Sequence, residues 1–124
     1  MSFATKNLHG KSGTYHLAES LTGYNMASGS TLERKTDILC IIAQQVKSML
    51  SGLDMEKESL AEVDSNIESL IEAYDPVLDS ETSIPTRKDY KILQSKTYYL
   101  LFSLIRKHNL ITAATLREIN GDWD

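Results

Sequence analysis

Between Leu60 and Tyr74 the large apolar residues fall at Leu60, Val63, Ile67, Leu70 and Tyr74, and Pro76 follows two residues later. Spacings that alternate between three and four residues put every one of these side chains on one face of an α-helix and on neither face of a strand. The residue before a proline is pushed out of the α region, so the helix must close near Tyr74. An apolar seam of this kind, with carboxylates on the other faces, has to be covered by other helices. That requirement points to an all-α bundle, and the seam has the form used in coiled coils.

The rest of the chain supports the same class. Gly and Pro together number eight of 124 residues, too few for the frequent turns of a sandwich of short strands. Ser30-Thr31-Leu32-Glu33 has the S-x-x-E form of a capping box and predicts a helix from Ser30 to about Leu50. Its apolar stripe is Leu32, Leu39, Ile42, Val46 and Met49, widened by Ile38 and Ile41. Ser51-Gly52 then offers a left-handed stop, and Asp54 a cap for the helix that carries the seam. Extended backwards, however, the seam register runs through Leu53, Val46, Leu39 and Leu32. A hairpin at Gly52 and one continuous helix from Ser30 to Tyr74 therefore compete, with the adjoining stop and start signals favouring the hairpin.

The tract Asp75–Ser83 reads as an exposed connection. A third long helix is predicted to open near Pro85, with Tyr90, Leu93, Thr97, Leu100, Leu101, Leu104 and Ile105 on one face and Arg106, Lys107 and His108 at its negative end. Tyr98, Tyr99 and Phe102 make its middle apolar nearly all round. Asn109 suits the stop, and Thr112 opens a short fourth helix with Leu116 and Ile119 inward. Met1–Gly29 is rich in Gly, Ser, Thr and Asn and keeps no regular period, so it reads as a polar, extended N-terminal arm. The expectation is thus an arm over residues 1–29 and a single helical domain over 30–124, with three main helices and a short C-terminal one.

Charge is segregated. From Asp54 to Glu81 ten acidic residues stand against Lys57 alone, whereas both flanks carry more basic than acidic residues. Pairing of the acidic helix with those flanks is the simplest reading, and imitation of a nucleic-acid backbone the sharper one. Cys40 lies among Ile38, Leu39, Ile41 and Ile42, where a lone thiol packs as a small hydrophobe in a reducing compartment. Residues 1–20 lack the apolar run of a signal peptide, and the greasiest run, Tyr98–Ile105, covers only eight positions, so neither export by a cleaved signal nor membrane spanning is expected. A location in the cytoplasm or within an assembled particle follows.

Catalytic and metal-binding patterns are not found. His9, His16 and His108 are scattered, and with one cysteine no zinc cage can be assembled. Gly10-Lys11-Ser12 lacks the upstream glycine of a phosphate loop. Glu58/Glu62 and Glu68/Glu72 share a helical face, but nothing in the sequence desolvates them. No cofactor and no enzymatic activity are expected. The expected role is a non-enzymatic interaction or assembly protein: an oligomeric structural subunit, adaptor or small chaperone, as in a viral particle or secretion apparatus. Its partners are protein chains, as a homo-oligomer or a helical hetero-complex, with membrane and nucleic acid not expected. The candidate partner-binding residues are Tyr98, Tyr99, Phe102 and Trp123. The competing class is a small regulator of nucleic acid, or of a nucleic-acid-binding protein, acting through the Thr112–Ile119 helix or the acidic helix 54–75.

Overall fold

A computed structural model describes residues 9–27, 30–51, 54–80 and 85–120. Among these the backbone forms α1 (His9–Met26), α2 (Leu32–Met49), a 3-10 turn (Asp54–Glu56), α3 (Lys57–Ala73), α4 (Val77–Ser80), α5 (Pro85–Lys107) and α6 (Ala113–Asn120), with no strand. The all-α bundle expected from the apolar spacing is present.

The helix α2 starts one residue later than the capping box implies. Thr31 is the cap, its hydroxyl accepting from the Arg34 amide at 3.1 Å, while the Leu32 amide donates to Asp79 Oδ1 at 2.7 Å. Thr31 thus takes the role expected of Ser30, and a carboxylate from a distant part of the chain satisfies a further amide of the first turn. Leu32, Thr36, Leu39, Ile42, Ala43 and Val46 point inward; Ile41, placed on the stripe by the sequence, is exposed. The helix ends on Leu50, whose amide donates to the Val46 carbonyl at 2.9 Å. The hairpin therefore holds over the continuous helix, and α3 returns alongside α2 so that Lys47 Nζ reaches both carboxylate oxygens of Asp64, at 3.0 and 3.1 Å.

The predicted seam faces inward. Val63, Ile67 and Leu70 are buried, with Leu60 and Tyr74 packed half-buried at the edge of the core. It is shared between α2 and α5, both of which pack on α3, so it serves a bundle of three neighbours and no two-stranded coiled coil. The side chain of Asp54, expected to cap this helix, lies outside what the structure describes. Asp54 opens the 3-10 turn, and Glu56, at the N-cap of α3, makes no side-chain cap bond.

Within the tract expected to be an exposed connection lies the single turn α4. The Asp75 carboxylate accepts the Val77 amide at 2.9 Å and starts the turn, which drops Leu78 into the core. Asp79 then accepts both the Leu32 amide and, at 2.6 Å, the Tyr74 hydroxyl, while Arg87 donates to the Leu78 carbonyl. At the far end of α5, Asn109 takes a left-handed φ of 52°, and the Leu110 amide reaches back to the Ile105 carbonyl at 3.0 Å. This is the stop expected of Asn at that position. Thr112 caps α6 by accepting the Thr115 amide at 3.2 Å.

The largest departure from expectation is α1. The extended arm foreseen for residues 1–29 is helical over His9–Met26 and packs against α2 and α6. Gly13 and Gly23 each cost a helix interior about 1 kcal/mol relative to Ala, and the helix has no acidic residue in its first turn. What holds it is tertiary. Leu17, Leu21 and Tyr24, spaced by four and three residues, are buried in the same core as Leu39, Leu101 and Ile105. Across the core, Gln94 Nε2 donates to the Leu32 carbonyl and to Thr36 Oγ1, each at 3.0 Å, and Thr36 lies 2.8 Å from the Tyr90 hydroxyl. These buried polar groups satisfy one another, which fixes the register of α2 against α5.

Candidate partner-binding surface

Tyr98 and Phe102, expected on a partner-binding face, belong to the core: they are 4% and 7% exposed. The Tyr24 ring stacks on Tyr98 with centroids 4.4 Å apart and planes within 8°, and Phe102 follows at 6.1 Å from Tyr98. Asn25 donates to the Tyr98 hydroxyl at 3.4 Å, and the Lys35 ammonium sits 4.4 Å from the centre of the Tyr24 ring. Burial pushes the Tyr24 phenol well above its ordinary pKa. These rings are surplus to a three-helix core, and here Tyr24 of α1 lies against Tyr98. Tyr99, turned the other way, is half exposed. Trp123 lies outside the described residues.

Where α1 crosses α6 there is a groove of about 500 Å³, lined by Tyr15, Ala18, Thr22, Gly23 and Met26 of α1 and by Thr115 and Ile119 of α6, with Glu19 at its rim. Its walls are mostly carbon, and its two largest side chains are open to solvent: Tyr15 is 61% and Met26 78% exposed. Two helical stripes explain this arrangement. Leu17, Leu21 and Tyr24 turn α1 toward the core, and Tyr15, Ala18, Thr22 and Met26, one residue out of phase, line up beside α6. Thr14 fastens the start of that contact by donating to the Leu110 carbonyl at 3.3 Å. Sequence reading missed Tyr15 and Met26 because it assigned no helix here; the repeat Leu17-x3-Leu21-x2-Tyr24 is the signal that reveals one.

A second groove, of about 400 Å³ between α1 and α2, is more polar and includes His16, Gln44, Gln45 and Ser48 beside Ile41 and Met49.

The acidic helix is partly neutralised by its basic neighbours. Lys47 pairs with Asp64, and Lys96 approaches Glu62 at 3.9 Å. Glu56 is turned inward: its buried carboxylate lies 2.5 Å from His108 Nε2 and 2.9 Å from Lys107 Nζ. Hydrogen bonds from His108 and then Lys107 hold the Glu56 carboxyl below its ordinary value of 4.5. This trio ties the turn before α3 to the end of α5, and none of its members lines either groove described above. Glu58, Glu68 and Glu72 remain on the outer face of α3, exposed. On α6 the exposed Arg117 stands next to the equally exposed Glu118.

Among the described residues no group of three or more His, Cys, Asp or Glu side chains is placed to hold a metal ion, and no helix is long and apolar enough to cross a membrane. Comparison with protein-family models, with curated proteins and with solved structures finds no match.

Proposed function

We propose that this chain is a non-enzymatic helical interaction protein, a subunit or adaptor of an assembly, that binds other chains and first of all copies of itself. The supporting observation is the α1/α6 groove, where a tyrosine and a methionine stand in water at the edge of an otherwise carbon-lined cleft. Large apolar side chains gathered in this way mark contact surfaces more often than isolated ones do, and methionine adapts to partners of varied shape. A reducing setting, the cytoplasm or the interior of a particle, suits the half-buried Cys40 thiol, whose pKa burial raises.

A second reading rests on the exposed carboxylates Glu58, Glu68 and Glu72 of α3, which suit a basic partner such as a nucleic-acid-binding protein. The Arg117–Glu118 pair gives α6 no net positive charge with which to read DNA.

Molecular mass measured by light scattering over a wide concentration range separates these readings. Self-association that persists in high salt and is weakened by Tyr15→Ser with Met26→Ser, at unchanged helical content, supports the first. A chain that stays monomeric throughout and responds to neither substitution overturns it. Salt-sensitive capture of a basic partner, lost on Glu68→Lys with Glu72→Lys, favours the second.

A further inference from the structure

Between α3, the single turn α4 and the first half of α5 lies a third cavity, of about 290 Å³. Leu70, Leu78, Tyr90 and Leu93 form its walls, which are mostly carbon, and the first three of them are buried members of the core. Core side chains therefore face a cavity as well as one another. Tyr90 is fixed as a wall: its hydroxyl lies 2.8 Å from Thr36 Oγ1, and its ring meets Tyr74 edge-on with centroids 6.3 Å apart. The mouth is polar. Ser69, Thr86 and Asp89 are exposed there, and no basic residue lines the cavity. Arg87 is turned to the Leu78 carbonyl and to Asp79, and Lys96 approaches Glu62, so Asp89 has no ion-pair partner among the described residues. The exposed Glu72, one helical turn from Ser69 on α3, adds negative potential on the same side.

We infer that this cavity is a binding site for a small organic cation: an aryl or short alkyl group enters between the carbon walls, and the ammonium it carries pairs with Asp89 at the mouth. Ligand sites combine a carbon-lined interior with a few polar groups that fix orientation, and here the one charged group of the lining is a carboxylate. An anion meets only repulsion, and a neutral ligand of the same shape leaves the carboxylate unused. Size decides between a small molecule and a docked chain. On α3 the lining runs from Ser69 to Ala73, about 6 Å at 1.5 Å per residue, and on α5 from Thr86 to Leu93, about 10 Å. That accommodates one ring, whereas a docked helix needs anchors spread over two turns on both walls. The cavity shares no residue with the α1/α6 groove, so the inference stands independently of the self-association proposed above.

The test is an NMR titration of the full-length, ¹⁵N-labelled chain at neutral pH with benzylamine, which is charged there, and with benzyl alcohol, its neutral analogue. Benzylamine is expected to move the amide signals of Ser69, Ala73, Thr86 and Leu93 saturably, with the millimolar affinity of a ligand of about eight heavy atoms. Benzyl alcohol should bind about three- to fivefold more weakly, the range of a solvent-exposed ion pair. Asp89→Asn, an exposed substitution, should bring benzylamine down to the affinity of benzyl alcohol and leave the alcohol unchanged, and raising salt from roughly 0.05 to 0.5 M should do the same in the wild type. Nuclear Overhauser contacts from the benzylamine ring to the Leu70 and Leu78 methyl groups place the ligand in the wild-type chain, so the outcome does not hang on the variant's folding. Absence of saturable shifts, equal binding of amine and alcohol, or ring contacts to other side chains overturns the inference.

Discussion

Gly23→Ala isolates the weakness of α1 from its packing. A methyl group added at Gly23 meets nothing within 4 Å, so the substitution introduces no clash and no new contact. What remains is the backbone term, roughly 0.5–1 kcal/mol in favour of Ala inside a helix. At Gly13 the added carbon would lie 3.8 Å from Met49 Cε, an ordinary van der Waals contact, so Gly13→Ala should gain a similar amount. The two sites are far enough apart to add, giving about 1–2 kcal/mol for the pair. Amide hydrogen exchange followed by NMR reads the effect directly. If α1 opens on its own, 0.5–1 kcal/mol slows exchange of the Leu17–Tyr24 amides about two- to fivefold and leaves α2 and α5 nearly unchanged. Unchanged or faster exchange in α1 would refute the claim that its glycines limit its stability. An equal slowing in every helix would show that α1 opens only with the whole bundle.

Leu104→Ala should cost about 2–5 kcal/mol by chemical denaturation, Leu100→Ala no more than about 2 kcal/mol because Leu100 is only half-buried, and the exposed Glu62→Ala within about 0.5 kcal/mol; equal effects would mean the inward face of α5 is misassigned. Thr36→Val strips both the Gln94 amide and the Tyr90 hydroxyl of a buried partner and should destabilise by about 1–3 kcal/mol in the same assay. The Glu56 carboxyl has a lowered pKa in the folded chain, so its stabilising contribution is present above the ordinary carboxylate range and is lost as pH falls through its folded value. Melting temperatures recorded from neutral pH to about pH 3 should therefore fall less steeply with acid for Glu56→Gln than for the wild type, and parallel curves would count against the buried trio.

The helices α2, α3, α5 and α6 could be read from the chain because their apolar residues repeat at 3.6 and their ends carry local chemistry: the Ser30–Glu33 box, one residue off the true cap Thr31, then Pro76, Pro85, Asn109 and Thr112. α1 could not, since helix propensity there argues against the outcome and only contact with α2 and α6 reverses it. Without a helix over residues 9–26 the sequence leaves Tyr98 and Phe102 uncovered, on a docking face; with α1 in place only Tyr99 of the three is exposed. The groove between α1 and α6 joins residues 15–26 to residues 115–119, and no local pattern announces a juxtaposition across so much chain.

Asp79 makes the start of α2 depend on a residue 47 positions downstream. By composition the tract from Asp75 to Ser80 is the obvious place to lengthen, cut or re-route this chain, as an engineer splicing in a tag or a permutation would. Yet a break there removes the carboxylate from the Leu32 amide, the Tyr74 hydroxyl and the neighbourhood of Arg87 at once. The apparent linker is a keystone shared by the ends of α2, α3 and α5, and the safest splice points lie elsewhere.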